Sequence, residues 1–382
     1  MDTSILDNTK MYRLPYSKND NPNAWIEVTT YCNMKCAGCY KGIDRDDNVK
    51  NHKALNELKE EIVELKRIRN NAILTISGGE ALMHPEIIEI VKFANELGLK
   101  SFIHTNGILV KKDIITKLKI AGLCGLIIRI DTNNRNQFEF EDDLNELRQS
   151  YAELINSIGG LQLGFTYVVT QSNLEQTSKI VKWFQNNHIY ADYLVLILKR
   201  EFRFNSSEEI DYSQEVTIEQ LCKHLKSGFP DMIFSSYLGS QLHNVGFKWV
   251  NSAWISYNRK ILSYNDAKMI EVFTAYQHLK NGNYSYVAGK GRNYISILQM
   301  LGAVFMLKSM RKVMRRYIIQ IIKLPRLITK LPNSQVINIV NPPSSSSVSF
   351  DYCDSCPDAV LYNGELTPSC TLESIKKSSQ NG

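Results

Sequence analysis

The chain has 382 residues, of which 43% are apolar, and its formal net charge is +6. This length allows one large domain of barrel size with an appended module, and the apolar content is that of a globular protein. Residues 1–24 contain no apolar segment behind a basic start, which excludes a secretory signal there and predicts a cytosolic protein. The apolar run at 295–307 is too short to span a bilayer.

Six of the eight cysteines lie in two tight groups, Cys32, Cys36 and Cys39, and Cys353, Cys356 and Cys370. In a reducing compartment, cysteines at such spacings are expected to be free or metal-bound rather than paired in disulfides. Cys124 and Cys222 stand alone and are predicted to be buried as small apolar side chains.

Short β-rich runs alternate with amphipathic helical patterns from residue 25 to residue 199. This alternation predicts parallel β/α units, arranged as a partial barrel or as an open doubly wound sheet. Periodicity alone does not choose between the two. Strands are expected at 25–30, 72–76, 101–104, 126–130, 163–169 and 192–198, and helices at 54–68, 85–97, 111–120, 138–157, 173–187 and 216–227.

The first cysteine group follows the first predicted strand as Cys-x3-Cys-x2-Cys in "TTYCNMKCAGCYKG", residues 29–42. A structural zinc site needs four ligands, and the fourth could come from His104 or Cys124, but nothing in the sequence places either beside this loop. An iron–sulfur cluster suits thiolates on one short loop. Three thiolates on a four-iron cluster would leave one iron open to a ligand that is not protein.

This run resembles the cysteine signature of the radical S-adenosylmethionine (radical SAM) superfamily, and "SGGE", residues 77–80, stands where that family carries its Gly-Gly-Glu motif. The resemblance implies a partial (β/α)6 barrel. It also implies a 4Fe–4S cluster on Cys32, Cys36 and Cys39, with S-adenosylmethionine (SAM) at the open iron. Reductive cleavage of SAM would then yield a 5′-deoxyadenosyl radical, with an external flavodoxin- or ferredoxin-type protein as electron donor.

Further cofactor-binding residues are expected at strand ends, where parallel β/α folds collect their ligands. Arg129 stands where the family often has serine; it is expected either to pair with the methionine carboxylate or to form a structural ion pair. Gly38 replaces a residue that is often bulky in the family, so the packing of adenine there stays open. The expected set comprises Ser77, Gly78, Gly79, Glu80, Thr105, Asn106, Arg129 and Asp131.

The second group, in "CDSCPDAVLYNGELTPSC", residues 353–370, resembles the C-terminal auxiliary-cluster modules called SPASM or twitch domains. The resemblance implies an auxiliary 4Fe–4S cluster on Cys353, Cys356 and Cys370 with an unidentified fourth ligand. A zinc knuckle using Asp351, Asp354 or an outside residue is the alternative.

Residues 272–350 contain eleven Lys or Arg and no Asp or Glu, so the rest of the chain carries −5. Within this segment, 303–322 places apolar residues on one helical side and basic residues mostly on the other. The pattern fits a helix lying on an anionic membrane surface, and it equally fits docking against the protein's own barrel. Nucleic acid is not expected, because aromatic residues do not interleave with the basic ones.

The predicted organisation is an N-terminal arm (1–24), a radical SAM partial barrel (25–230), a basic amphipathic segment for substrate or membrane (231–340) and a linker with the cysteine-rich tail (341–382). The predicted activity is hydrogen abstraction from an unactivated carbon of a hydrophobic, lipid-like or phosphate-bearing substrate. The alternatives are a peptide- or protein-modifying maturase and, from another class, a non-catalytic zinc- or Fe–S-binding adaptor at a membrane surface.

Overall fold

The structure is a computed structural model that describes residues 5–36, 38–43, 50–200, 213, 215–242, 246–285, 302, 307–325, 331–343 and 351–380. Within these ranges, every helix is too short or too polar to cross a bilayer.

Six parallel strands form the first part of the main sheet, in the order in which they occur along the chain. This arrangement confirms the predicted β/α units. After the two-residue β1 (Tyr12–Arg13), the strands are β2 (Asn23–Glu27), β3 (Ile73–Ser77), β4 (Lys100–Thr105), β5 (Gly125–Arg129), β6 (Gln162–Val169) and β7 (Tyr193–Leu198). The helices between and after them are α1 (Leu55–Arg69), α2 (Ile87–Glu96), α3 (Lys112–Ala121), α4 (Asn145–Ile158), α5 (Thr177–Asn186) and α6 (Ile218–Gly228).

The helices cover one face of this sheet with their apolar sides. In α1, Leu58, Ile62 and Leu65 are fully buried, as their three- and four-residue spacing requires. Helix α4 begins seven residues later than predicted, because the chain before it turns around the buried carboxylate of Glu141. That carboxylate accepts hydrogen bonds from the Thr132 backbone N–H at 2.8 Å and from Arg148 Nη2 at 3.2 Å.

Strands from beyond residue 230, where the sequence pattern weakens, extend the same sheet. They are β8 (Ser236–Gly239), β9 (Phe247–Tyr257), β10 (Lys260–Tyr264) and β11 (Asn333–Val340). Strand β11 pairs in parallel with β7 and antiparallel with β9, β8 follows β9, and β1 closes the edge. Nine of the eleven residues of β9 are buried, so the strand lacks the polar–apolar alternation that predicts a strand from sequence. The predicted boundary at residue 230 therefore lies within the span of a continuous sheet.

The sheet curls around an internal cavity. Inward-facing residues of eight successive strands, from β2 through β7 to β11 and β9, line a single cavity of about 210 Å³, here called the upper cavity. On β11, the inward Ser334, Val336, Asn338 and Val340 are half-buried, while the residues between them are buried against the outer layer. Together these observations confirm the predicted partial barrel.

The basic segment contributes α8 (Lys308–Lys323), which follows α7 (Ala267–Asn281) along the described chain. Met310, Val313 and Tyr317 are buried against Tyr257 and Leu262 of the β9–β10 hairpin and its surroundings, which confirms the predicted apolar side of this helix. Residues 303–306, where the predicted helical pattern begins, lie outside the described residues. The apolar side thus docks on the protein itself, and a membrane would have to meet the opposite, basic side.

The C-terminal tail forms the hairpin β12 (Ala359–Tyr362) and β13 (Glu365–Pro368), followed by α9 (Leu372–Gln380). Val360 and Leu372 pack on Trp25 of β2, so the tail lies against the barrel's first strand.

Candidate active site

The first cysteine loop is held by the Gly-Gly-Glu segment. The Gly79 N–H donates to the Thr29 carbonyl at 2.8 Å, and the Glu80 N–H donates to the Tyr31 carbonyl at 2.7 Å. A Cβ on Gly78 would lie 2.4 Å from the Thr29 oxygen, and one on Gly79 would lie 2.3 Å from the Tyr31 oxygen. The two glycines therefore let the chain that leads into Cys32 pass directly against them.

The three thiols of this loop are half-buried beside the carboxyl ends of β2 to β5. Burial raises the pKa of both Cys32 and Cys36; the neighbouring thiols raise them further, while the charge of Arg129 lowers that of Cys36. Asn106 Nδ2 lies 3.8 Å from Cys32 Sγ. The thiols are thus close enough to influence one another. No three His, Cys, Asp or Glu side chains among the described residues are already gathered in a metal-holding arrangement.

Gly38 lies between the second and third cysteines with a φ of +66°, a left-handed conformation that favours glycine. It also lines the upper cavity. The left-handed backbone at this position therefore explains why this chain has glycine where the family often has a bulky residue.

The carboxylate of Glu80 is fully buried and joins two loops. Its Oε1 accepts from the Leu82 N–H at 3.0 Å and from Thr105 Oγ1 at 2.8 Å, and its Oε2 accepts from the Asn106 N–H at 2.7 Å. Burial raises its pKa, against the effect of these hydrogen bonds. Glu80 and Thr105 thus fix Asn106 beside the cysteine loop, and a direct role of Glu80 toward a cofactor stays a prediction.

Arg129 forms an ion pair with Asp131, with Nε 3.0 Å from Oδ2. Asp131 is fully buried and also accepts from the Asn134 N–H at 2.9 Å. Burial opposes the charge of Arg129, but Asp131 outweighs it and raises the pKa of the guanidinium. This geometry corresponds to the structural ion pair expected as one of two roles. Because Arg129 also lines the upper cavity, binding of a carboxylate there stays a prediction.

Arg135 is a positioning residue that sequence reasoning missed. Its Nη2 donates to the Asn106 carbonyl at 2.6 Å, and its Nη1 lies 3.1 Å from Met34 Sδ, inside the cysteine loop. The side chain is buried and connects the strand-end turn at Asn106 with that loop. A basic residue in a polar turn carries no sequence signal for such a contact.

The upper cavity is mostly apolar but carries a few charged groups. Among the described residues, Arg129, Lys199 and Arg200 line it together with one carboxyl, Asp358, whose pKa burial raises to about 7. His104 also faces it and hydrogen-bonds Thr166 Oγ1 at 3.0 Å. Burial lowers the pKa of His104 to about 4, so its ring is neutral at physiological pH.

The turn from Cys356 to Asp358 meets the barrel at the amino end of β2, opposite the first cysteine loop. Arg69 Nη2 donates to the Cys356 carbonyl at 2.8 Å, and Asn23 Nδ2 donates to the Pro357 carbonyl at 3.3 Å and to Asp358 Oδ1 at 3.1 Å. A hydrogen bond with Cys353, together with burial, raises the pKa of Cys356. The second cysteine group, near the end of the sequence, is therefore anchored by residues near its beginning.

Both cysteine groups reach the upper cavity. Gly38 and Tyr40 line it from the first loop, and Ser369 and Cys370 line it from the second group. The pKa of half-buried Tyr40 is raised by desolvation and then by the neighbouring Cys39, Asp358 and Cys370. Tyr40 therefore stands between the two groups.

The donor chemistry of both groups fits iron–sulfur clusters. Each offers three thiols on short turns, and thiolates are the usual cluster ligands. Cys32, Cys36 and Cys39 would hold the first cluster, and Cys353, Cys356 and Cys370 the second. Cys124 and Cys222 are buried in the apolar core, which confirms that prediction.

Residues 26–166 match the Radical SAM superfamily. The Fe-coproporphyrin III synthase of Methanosarcina barkeri is 26% identical over 57% of this chain and 56% of its own length. The AdoMet-dependent heme synthase of the same organism is 29% identical over 49% of this chain and 53% of its own length. The chain therefore spans about half the length of these curated relatives. Among solved structures, Streptococcus suis SuiB is 19% identical with a TM-score of 0.39, covering 50% of this chain and 42% of that one.

Proposed function

The chain carries a radical SAM domain in residues 26–166, and from this premise we propose that it is a radical SAM enzyme acting on a hydrophobic, lipid-like or phosphate-bearing substrate. When bound, the 4Fe–4S cluster and SAM supply a 5′-deoxyadenosyl radical that removes hydrogen from an unactivated carbon. An external flavodoxin- or ferredoxin-type protein supplies the electron.

In this proposal, Cys32, Cys36 and Cys39 hold the cluster. Gly78 and Gly79 support the cysteine loop through backbone contact, and Glu80 orders Asn106 beside it. The curled sheet would place a substrate in the upper cavity, beside Gly38 and Tyr40 of the cysteine loop. The protein's part is orientation, while the cofactor carries the chemistry.

One observation supports the substrate class above the others. The cavity that both cysteine groups reach has a mainly apolar surface, and the described residues that line it include three cations and one carboxyl. Val195, Ile197 and Val340 supply an apolar wall, and Lys199 and Arg200 directly follow the end of β7. Such a lining suits an aliphatic compound with an anionic group near the reaction centre.

The test is anaerobic reconstitution of the full chain with iron and sulfide, followed by measurement of 5′-deoxyadenosine after addition of SAM and reductant. We expect cluster loading and 5′-deoxyadenosine formation. We also expect a lipid-like or phosphorylated molecule among those that co-purify with the anaerobic protein, identified by its mass. A protein that binds iron or zinc but never forms 5′-deoxyadenosine would instead be the non-catalytic adaptor.

A further inference from the structure

Helix α8 is held on the barrel along one side only. Its buried side chains form an apolar cluster with residues of the β9–β10 hairpin, and they are Met310, Val313 and Tyr317. Arg316 Nη1 also donates to the Leu262 carbonyl at 2.5 Å, which joins the helix to the same hairpin a second time. Because the protein itself occupies this side, the opposite side of the helix has a fixed outward orientation.

The outward side of α8 concentrates positive charge. Besides Arg316, its exposed Lys and Arg side chains are Lys308, Arg311, Lys312, Arg315 and Lys323. Residues 272–350 contain no Asp or Glu, so neither the helix nor the chain on either side of it supplies a carboxylate within that span. Cations alone would also suit a face that is merely solvated.

Three isoleucines are exposed on the same side as these cations. Ile318 is 47% exposed, Ile319 is 38% exposed and Ile322 is 72% exposed. Arg311, Arg315, Ile318 and Ile322 follow one another at intervals of four, three and four residues, which places them in one stripe along the helix. A solvated face does not require neighbouring isoleucines, and exposed apolar patches mark sites of contact with a partner.

The five cations and the three isoleucines, here called the outer face of α8, together indicate the partner. An anionic bilayer offers phosphate charges at its surface and acyl chains about 5–10 Å deeper, so it is complementary to both kinds of side chain. A soluble polyanion would leave the isoleucines in water, and an apolar protein surface would leave the cations without counter-charge. The bilayer alone among these partners matches the whole face.

We propose that the outer face of α8 docks the protein on an anionic lipid bilayer, with its cations at the phosphate groups and its isoleucines at the boundary of the acyl chains. Because α8 packs on the β9–β10 hairpin, the bilayer lies beside the strands that extend the barrel beyond residue 230. This inference goes beyond the proposed function and does not depend on its radical chemistry.

The test is flotation of the full chain with vesicles of about 30% phosphatidylglycerol in phosphatidylcholine, compared with vesicles of phosphatidylcholine alone. We expect binding to the anionic vesicles at low salt and binding about tenfold weaker to the neutral ones. Ile318→Ser combined with Ile322→Ser should weaken binding to the anionic vesicles about tenfold, because it removes apolar surface that enters the bilayer. Retention of this variant on heparin, which responds to charge, should stay unchanged.

Ile120→Ser is the matched control, because Ile120 is 80% exposed on α3, away from the outer face of α8. It should change neither vesicle binding nor heparin retention. Lys312→Gln combined with Arg315→Gln should weaken both. All of the substituted side chains are exposed, so the variants are expected to fold, and circular dichroism checks this.

The proposal is overturned if the parent protein does not float with anionic vesicles at low salt, or if the double serine variant binds them as tightly as the parent. Heparin retention without vesicle binding would also overturn it, in favour of a soluble polyanion. A dimer in sedimentation equilibrium that the double serine variant abolishes, without vesicle binding by the parent, would overturn it in favour of a second copy of this chain.

Discussion

Replacement of Gly79 by alanine tests whether the Gly-Gly-Glu segment acts through backbone contact with the cysteine loop. The new Cβ would lie 2.3 Å from the Tyr31 oxygen, whereas an ordinary contact needs at least 3.4 Å, so the two segments must separate by about 1 Å. Gly79→Ala is therefore expected to displace the chain directly before Cys32.

The expected loss of unfolding free energy follows from the hydrogen bonds that this separation breaks. The bonds from the Gly79 N–H to Thr29 O and from the Glu80 N–H to Tyr31 O, at 2.8 and 2.7 Å, would stretch beyond hydrogen-bonding range. With about 1 kcal/mol for each bond and a further penalty for buried groups left unpaired, the free energy of unfolding should fall by about 2–4 kcal/mol. That is a large part of the stability of a typical domain.

Urea denaturation gives the unfolding free energy, and iron per chain after anaerobic reconstitution reports on the cysteine loop. Gly98→Ala is the matched control, because Gly98 has a φ of +77° but no atom within 4 Å of the added carbon. It should cost about 1 kcal/mol of backbone strain and keep full iron loading. If Gly79→Ala also retains full iron and loses less than the control, the backbone-contact reasoning is refuted.

Four further outcomes are expected. Cys36→Ala should abolish 5′-deoxyadenosine formation, whereas Cys353→Ala should spare it and lose only productive turnover; cleavage that survives in both would contradict this division of roles. Arg135→Met removes the hydrogen bond to the Asn106 carbonyl and the contact with Met34 Sδ in the cysteine loop, so iron loading should fall while circular dichroism stays unchanged. Unaltered loading would count against a positioning role. In the parent protein, a His104 pKa lowered from 6.5 to about 4 leaves the free energy of unfolding intact above pH 6.5 and reduces it by about 3 kcal/mol as the pH falls to 4. His104→Gln should remove this part of the pH dependence, which denaturation at several pH values measures. Flotation with anionic vesicles should show binding through the basic side of α8 that high salt removes; the absence of binding at low salt would exclude a membrane role for this helix.

Much of the parallel half of the barrel could be predicted from sequence, because its helices carry apolar residues at helical spacing. Leu58, Ile62 and Leu65 of α1 are one example, and Met310, Val313 and Tyr317 of α8 are another. Each pattern shows which side of a helix is buried. Neither shows what buries it, and for α8 only the structure distinguishes the protein's own hairpin from a membrane.

The strands beyond residue 230 escaped prediction for a physical reason. Strand β9 is covered on both faces, so apolar residues occur on both and alternation disappears. Its partner β11 comes more than seventy residues later in the chain, and no local pattern encodes that pairing. The wall that these two strands give the upper cavity could not be predicted for the same reason.

The candidate site divides in a similar way. By itself, the sequence determined the donor types and their local spacing: the three thiols of "CNMKCAGC", the glycines that follow β3 and the second cysteine group, since short-range geometry is a property of adjacent residues. Only the tertiary structure decided that Arg69 and Asn23 anchor the second group, that Arg135 holds the first loop, and that both groups reach one cavity. These contacts join residues up to 335 positions apart, and their partners are set by how the sheet curls rather than by any local pattern.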